Sequence, residues 1–127
     1  MLDLNLDAAK KVADEIIADG GTAVAVKANV LEKASMEEAK KIVDEKLGSC
    51  DILINGAGGN NPKGSTTKDY LEADDLENNA EISGVKTFFD LDPDGISFVF
   101  NLNFLGTLIP TQVFAKDMAK KDGASII

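Results

Sequence analysis

The residues best placed to do chemistry sit in one run, Asn55-Gly56-Ala57-Gly58-Gly59, directly after the apolar segment Asp51-Ile52-Leu53-Ile54. Glycines lack Cβ atoms, so their backbone can approach a ligand closely, and the Asn55 amide offers both a donor and an acceptor. In an open parallel sheet, ligands bind beyond the carboxyl ends of the strands, which is where this run falls. A plain glycine-rich turn accounts for the same residues, and such turns are common. The run is not the dinucleotide fingerprint: position 61 is Asn where a third glycine is required, and no helix start follows at once.

Three other places carry reactive or polar groups. Asp3, in Leu2-Asp3-Leu4-Asn5, is either an acid at a strand end or an ordinary surface carboxylate near a helix N-terminus. Asn101 and Asn103 interrupt an apolar stretch. Burying an amide without partners costs roughly 1–3 kcal/mol, so at least one of them is expected to have a fixed hydrogen-bonding task. Cys50 stands before an apolar strand with no histidine to activate it, and reads as a small core residue.

Composition narrows the chemistry. The 127 residues include 13 Lys or Arg and 22 Asp or Glu, a net charge of −9, with 44% hydrophobic residues, one Cys and no His or Trp. A nucleophile activated by histidine cannot be assembled from this chain, nor can a Cys/His zinc centre. A lone thiol forms no internal disulfide, which suits a reducing compartment. A pI near 4.4 argues against nucleic-acid binding, which rests on cationic side chains. The acidic start, Met1 to Asp7, is unlike a secretory signal, and Ile96–Ile109 falls short of the roughly 20 apolar residues of a membrane span. These features point to a cytoplasmic protein with neither membrane nor nucleic-acid partner.

The elements that must position these residues follow from periodicity. Ala9, Val12, Ala13, Ile16 and Ile17 mark one helix face over Leu6–Asp19, with Asn5 as its cap and Gly20-Gly21 as its stop. Thr22–Ala28 reads as a buried strand. Ser35-Met36-Glu37-Glu38 reads as a capping box opening a helix to about Leu47, with Ala39, Ile42, Val43 and Leu47 inward. Asp51–Asn55 is a second strand, residues 56–92 are irregular, and Asp69–Asn79 is acidic and weakly helical. Asp92-Pro93 is a strong helix start for a long helix to about Lys120. That helix is apolar almost all round, so it is expected to be buried on most sides, and Pro110 should kink it at a cost of about 3 kcal/mol. Gly123–Ile127 looks like the start of a further strand. Helices alternating with strands imply a parallel α/β sheet.

In this order, Asp3 at a strand end, helix, Gly-Gly, strand, Asn29-Val30, helix, Asp51-Ile52-Leu53-Ile54-Asn55-Gly56-Ala57-Gly58 and then Asn103-Phe104-Leu105-Gly106 in a long helix, the chain resembles the short-chain dehydrogenase/reductase family. The likeness covers essentially the whole chain. Residues Phe88–Met118 look most like the D-mannonate oxidoreductase (fructuronate reductase) branch. The resemblance implies a Rossmann-type doubly wound sheet and a parent enzyme that moves a hydride between NAD, less readily NADP, and a sugar-acid carbonyl or alcohol. Asp3 matches the acid that holds the adenosine ribose, and Asn29 and Val30 match the pair beside the adenine, although many relatives carry Asp at the position of Asn29. Asn55, Gly56, Ala57 and Gly58 match the loop along the cofactor, with Gly56 where Asn is commoner. Asn103 matches the Asn of the catalytic tetrad. No metal is implied.

Other parts of the family pattern are not among these residues. The first strand and its glycine-rich loop would precede Asp3, and the catalytic Ser and the Tyr-x-x-x-Lys pair would follow Ile127. Tyr70 is the sole tyrosine, and Asp74 stands where the motif needs Lys. Residues 1–127 are thus expected to form a single, incomplete NAD(P)-binding domain without turnover of its own. In the strand order 3-2-1-4-5-6, omission of strand 1 leaves a slot of roughly 10 Å between its neighbours. Such a chain is expected to be marginally stable or to re-pair its strands. It is also expected to self-associate through the 93–120 helix. A non-catalytic self-associating α/β module and an unrelated nucleotide-binding α/β domain are the rival readings.

Overall fold

The computed structural model describes residues 1–77 and 84–127. Their fold is α/β with short parallel strands, and the chain separates into two compact units, Met1–Ala57 with Phe104–Ile127, and Gly58–Asn103.

In the first unit, strand β1 (Leu2–Asp3) pairs in parallel with β2 (Val26–Lys27), and β3 (Ile52–Leu53) pairs in parallel with β4 (Ser125–Ile126). The two pairs are separate sheets. These pairs are the neighbours expected from the strand order 3-2-1-4-5-6. The strands are shorter than the apolar runs that contain them. Thr22–Ala25 stays outside the ladder because regular pairing reaches only as far as β1 runs alongside, with Val26 N–H donating to Met1 O at 2.9 Å and Ala28 N–H to Asp3 O at 2.9 Å. In β3 only Leu53 points into the core, while Ile52 and its neighbour Ile54 are 60% and 69% exposed. Alternation along a strand sends them to the other face.

Helix α1 (Leu6–Ala18) starts where expected, with Asn5 accepting the N–H groups of Asp7 and Ala8 at 3.1 and 3.2 Å. Its buried face is narrower than the periodicity suggested. Ala9 and Ala13 are buried against β1 and β2, whereas Val12, Ile16 and Ile17 are exposed. Gly20, at φ 87°, turns the chain after the helix. Helix α2 (Lys33–Leu47) does not begin at Ser35. Glu32 is its cap residue, and Ser35 lies inside the first turn, where its hydroxyl accepts the Asn29 N–H at 2.9 Å. The earlier start comes from the Asn29 turn, in which Asn29 Oδ1 accepts from Leu31 N–H at 3.1 Å. Met36 and Ala39 are buried, and Leu47 is half exposed.

The long apolar stretch is helical in three segments: α3 (Pro93–Phe100), a π-helical turn at Asn101–Leu105, and α4 (Gly106–Met118). Asp92 caps α3 through the Asp94 N–H at 2.9 Å, with Pro93 in the first turn. The irregularity falls at Asn101–Leu105 rather than at Pro110, which sits inside α4. Most of the run is not buried. Gly95 is the one buried residue of α3, and Phe98, Phe100, Phe104 and Leu108 are 45%, 70%, 65% and 38% exposed. The run Pro93–Met118 has 26 residues and is long and apolar enough to cross a membrane by length and composition. The stretch Ile96–Ile109 is the part of this run singled out in the sequence.

The core lies in the first unit. Val26, Ala28, Met36, Ala39, Leu53, Val113, Phe114 and Met118 form one cluster, with Val30, Ile42, Val43 and Cys50 packed against it. Helices α2 and α4 pack together and are joined by Lys40, whose ammonium meets Asp117 at 2.8 Å and also pairs with Asp44. Cys50 is half-buried rather than a core residue, with its thiol donating to Ile52 O at 3.2 Å.

The second unit is built from 3₁₀ turns at Pro62–Gly64, Ala73–Leu76 and Phe88–Asp90, together with α3. The acidic segment expected to be helical over Asp69–Asn79 is a 3₁₀ turn where it is described, and positions 78 and 79 lie outside the described residues. The turn Pro62–Gly64 packs on α3 backbone to backbone. A Cβ added at Gly95 would stand 2.6 Å from Gly64 N. Asp92 N–H donates to Lys63 O at 3.0 Å beside this crossing.

Candidate functional site

Asp3 ends β1, and its carbonyl accepts from Ala28 N–H at 2.9 Å, one residue before Asn29. Its carboxylate Oδ1 accepts the Asn5 N–H at 2.7 Å. Pairing of β1 with β2 therefore brings Asp3 beside the segment that leads to Asn29 and Val30. The Asn29 side chain is engaged within its own turn: Oδ1 holds Leu31 N–H, and Nδ2 donates to Glu32 Oε1 at 2.8 Å. Val30 packs against the core. Asn55 follows β3. Its N–H donates to Ile127 O at 2.8 Å, which continues the β3–β4 pairing, and its Nδ2 donates to Thr111 Oγ1 at 3.3 Å. At Gly56 the space that a Cβ would occupy is open.

In the second unit, Asn103 and the Gly58-Gly59 backbone form one hydrogen-bonded assembly. Asn103 Oδ1 accepts Gly59 N–H at 3.1 Å, and Asn103 Nδ2 donates to Gly59 O at 2.8 Å and to Val99 O at 2.8 Å. The side-chain amide thus mimics a peptide group paired with the Gly59 backbone. The contact requires glycine at position 58, since a Cβ there would stand 2.7 Å from Asn103 Oδ1. The amide protrudes from the π-helical turn Asn101–Leu105, a distortion found often at functional sites. The expectation that one of the two asparagines has a fixed task is met by Asn103.

Parts of this arrangement were not anticipated. Gly59 is the residue that Asn103 grips, and Thr111 is the side-chain anchor of Asn55. The glycine run hinted at Gly59, whereas nothing marks a threonine 56 residues from Asn55 as its partner. Among titrating groups, burial pushes the Cys50 thiol up, so it is no ready nucleophile. The Asp94 N–H, then Lys63, hold the Asp92 carboxyl below its ordinary value, as suits a helix cap. Among the described residues no group of three or more Cys, Asp or Glu is placed to hold a metal ion.

The family profile described as short chain dehydrogenase matches residues 1–75. The chain belongs to this family. An uncharacterized oxidoreductase of Haemophilus influenzae is 55% identical over all 127 residues, which cover 42% of its length. The uncharacterized oxidoreductase UxuB of Bacillus subtilis is 40% identical over 127 residues, covering 43% of its length. Among solved structures, a candidate D-mannonate oxidoreductase from Haemophilus influenzae with bound NAD superposes with a TM-score of 0.89 at 55% identity. The match covers 98% of this chain and 42% of that one. A 3-ketoacyl-ACP reductase from Sinorhizobium meliloti, at 24% identity and a TM-score of 0.70, shares the fold. The chain spans less than half the length of these relatives. As a short-chain dehydrogenase, it has a partial Rossmann-type architecture in which the ends of β1, β2 and β3 carry Asp3, Asn29-Val30 and Asn55-Gly56.

Proposed function

We propose that this chain carries the adenosine-side contacts and the glycine loop of an NAD-dependent oxidoreductase that acts on a sugar-acid carbonyl or alcohol of the mannonate and fructuronate type. The observation that carries this reading is the 55% identity to a candidate D-mannonate oxidoreductase with bound NAD. When bound, NAD accepts or supplies the hydride. The chain's own residues hold and orient the cofactor. The Asp3 carboxylate accepts from the ribose hydroxyls and, being anionic, disfavours a phosphate there, so NAD is preferred over NADP. Asn29 and Val30 line the adenine side. Asn55, Gly56, Ala57 and Gly58 run along the cofactor, and the open space at Gly56 fits that close approach. Asn103 holds the loop through Gly59 and occupies the tetrad position.

The 127-residue chain by itself transfers no hydride in this reading. It offers no Tyr-x-x-x-Lys acid–base pair, and Asn103 alone cannot deliver a proton. Fluorescence titration with NADH and an absorbance assay with fructuronate test both parts. Weak, saturable NADH binding without turnover is expected. Binding of NADPH in preference to NADH would remove the role given to Asp3, and turnover by this chain would overturn its division from the acid–base residues.

A second element of the proposal is self-association through the 93–118 run, favoured by the exposure of Phe98, Phe100, Phe104 and Leu108. Light scattering that finds a monomer at all concentrations would refute it. We place the protein in the cytoplasm with neither nucleic-acid nor membrane partner. The net charge of −9 supports the first exclusion, and Asn101, Asn103 and Pro110 within the helical run favour the second.

A further inference from the structure

The Asn55 backbone is pinned by its N–H to Ile127 O at 2.8 Å, and the next residue, Gly56, has open space where a side chain would be. The Asn55 side chain is anchored by the hydrogen bond from Nδ2 to Thr111 Oγ1 at 3.3 Å. Thr111 is well placed to give a fixed point. It stands on α4 next to buried Pro110 and at helical spacing from Phe114 and Met118, which are 2% and 3% exposed in the core. A threonine inside a helix can direct its own proton to the preceding turn and keep a lone pair free to accept. The bond leaves Asn55 Oδ1 and the second amide hydrogen without a partner among the described residues, so its orientation decides which way both groups face. Valine would fill the same volume and accept nothing.

We propose that Thr111 is a positioning residue whose hydroxyl orients the Asn55 amide and thereby the Asn55-Gly56-Ala57 backbone that carries the cofactor. This rests on the cofactor reading above for its consequence, and on the Asn55 contact for its geometry. The test compares the 127-residue chain with Thr111→Val and Thr111→Ser, using the Asn55 side-chain NH₂ resonances and the NADH dissociation constant. Thr111→Val is expected to shift the Asn55 resonances and weaken NADH binding about 2- to 10-fold, the range for one lost hydrogen bond. Thr111→Ser, which keeps the hydroxyl, should restore both. Unchanged Asn55 resonances in Thr111→Val overturn the proposal. So does a loss of binding that serine fails to restore, which is the signature of general destabilisation. If the unaltered chain binds no NADH, the cofactor reading fails and the Asn55 resonances alone decide whether Thr111 orients the amide.

Discussion

The grip of Asn103 on Gly59 makes a quantitative prediction. Gly58→Ala introduces a methyl group 2.7 Å from Asn103 Oδ1, well inside van der Waals contact. The amide must swing away, and its two bonds to Gly59, at 3.1 and 2.8 Å, break together. Each net hydrogen bond contributes about 0.5–1.5 kcal/mol. Asn103 is exposed, so the low half of that range applies and the pair amounts to roughly 1–2 kcal/mol. Asn103→Ala removes the same two bonds from the other side together with the one to Val99 O, and should cost at least as much. Once the amide is gone, the added methyl at position 58 no longer meets it, so the double variant should cost about as much as Asn103→Ala alone.

The assay is a double-mutant cycle on urea unfolding, with hydrogen exchange at Gly59 N–H as a local readout. A coupling energy of about 1–2 kcal/mol is expected, with Gly59 exchange accelerated equally in all three variants. Additive costs, or a Gly59 N–H that stays protected in Asn103→Ala, would refute the reasoning. That result would mean that the loop is held by its own backbone and that the amide is incidental.

Three further outcomes follow from the packing. Met36→Ala should lower stability by roughly 2–5 kcal/mol in urea unfolding, because Met36 is 1% exposed at the centre of the core. Gly95→Ala should destabilise by about 1–3 kcal/mol, since its methyl would press into the Lys63-Gly64 backbone; local loosening should appear as faster exchange at Asp92 N–H, which bonds Lys63 O. Lys40→Met should weaken the α2–α4 contact in a pH-dependent way. Hydrogen bonds to Asp117 and Asp44 raise the Lys40 pKa, so its contribution is full below the ordinary lysine value and lost as pH rises through the raised one. Lys40 and then Lys120 draw the Asp117 carboxyl from 3.8 down to about 2, so its contribution is present above 3.8 and lost as pH falls through about 2. The stability gap between the two proteins should therefore be level near neutrality and close on acidification, and it should shrink in salt because Asp117 is partly exposed.

Much of the architecture was legible because local signals agreed with tertiary ones. Asn5 and Asp92 cap their helices as their types demand, and Gly20 and Gly48 turn the chain at φ 87° and 85°. The order of strands also followed from alternation of elements. The misreadings share a cause: periodicity reports which residues lie on one side, but not how wide the opposing surface is. Ile16 and Ile17 fall on the right side of α1, yet only Ala9 and Ala13 reach the two-residue strands beneath. The apolar run 93–118 shows the same limit. Apolarity all round means that something must cover a helix, and a sequence does not say whether the cover is the same chain or another copy. Ser35 failed differently. Two capping arrangements competed, and the Asn29 turn claimed the Ser35 hydroxyl for Asn29 N–H.

The candidate site divides along the same line. Asn55 stood out as a polar residue after an apolar strand, where ligands of parallel sheets bind, whereas local pattern left Asp3 with two readings and Asn29 was named only through the family resemblance. The partners that hold Asn55 and Asn103 are long-range. Thr111 reaches Asn55 only because α4 packs its Val113–Phe114 face into the core, and Gly59 reaches Asn103 only because the turn at Pro62–Gly64 crosses α3 where two glycines permit it. The second placement depends on the absence of Cβ atoms at Gly58, Gly64 and Gly95, three glycines that none of the left-handed conformations explains. Each of these three meets another part of the chain within 3.0 Å of where its Cβ would be, so close approach explains them, whereas at Gly56 that space is open. The grip of Asn103 on Gly59 is therefore held by contacts that a side chain would block, and substitutions at these glycines test it more directly than a change to Asn103 itself.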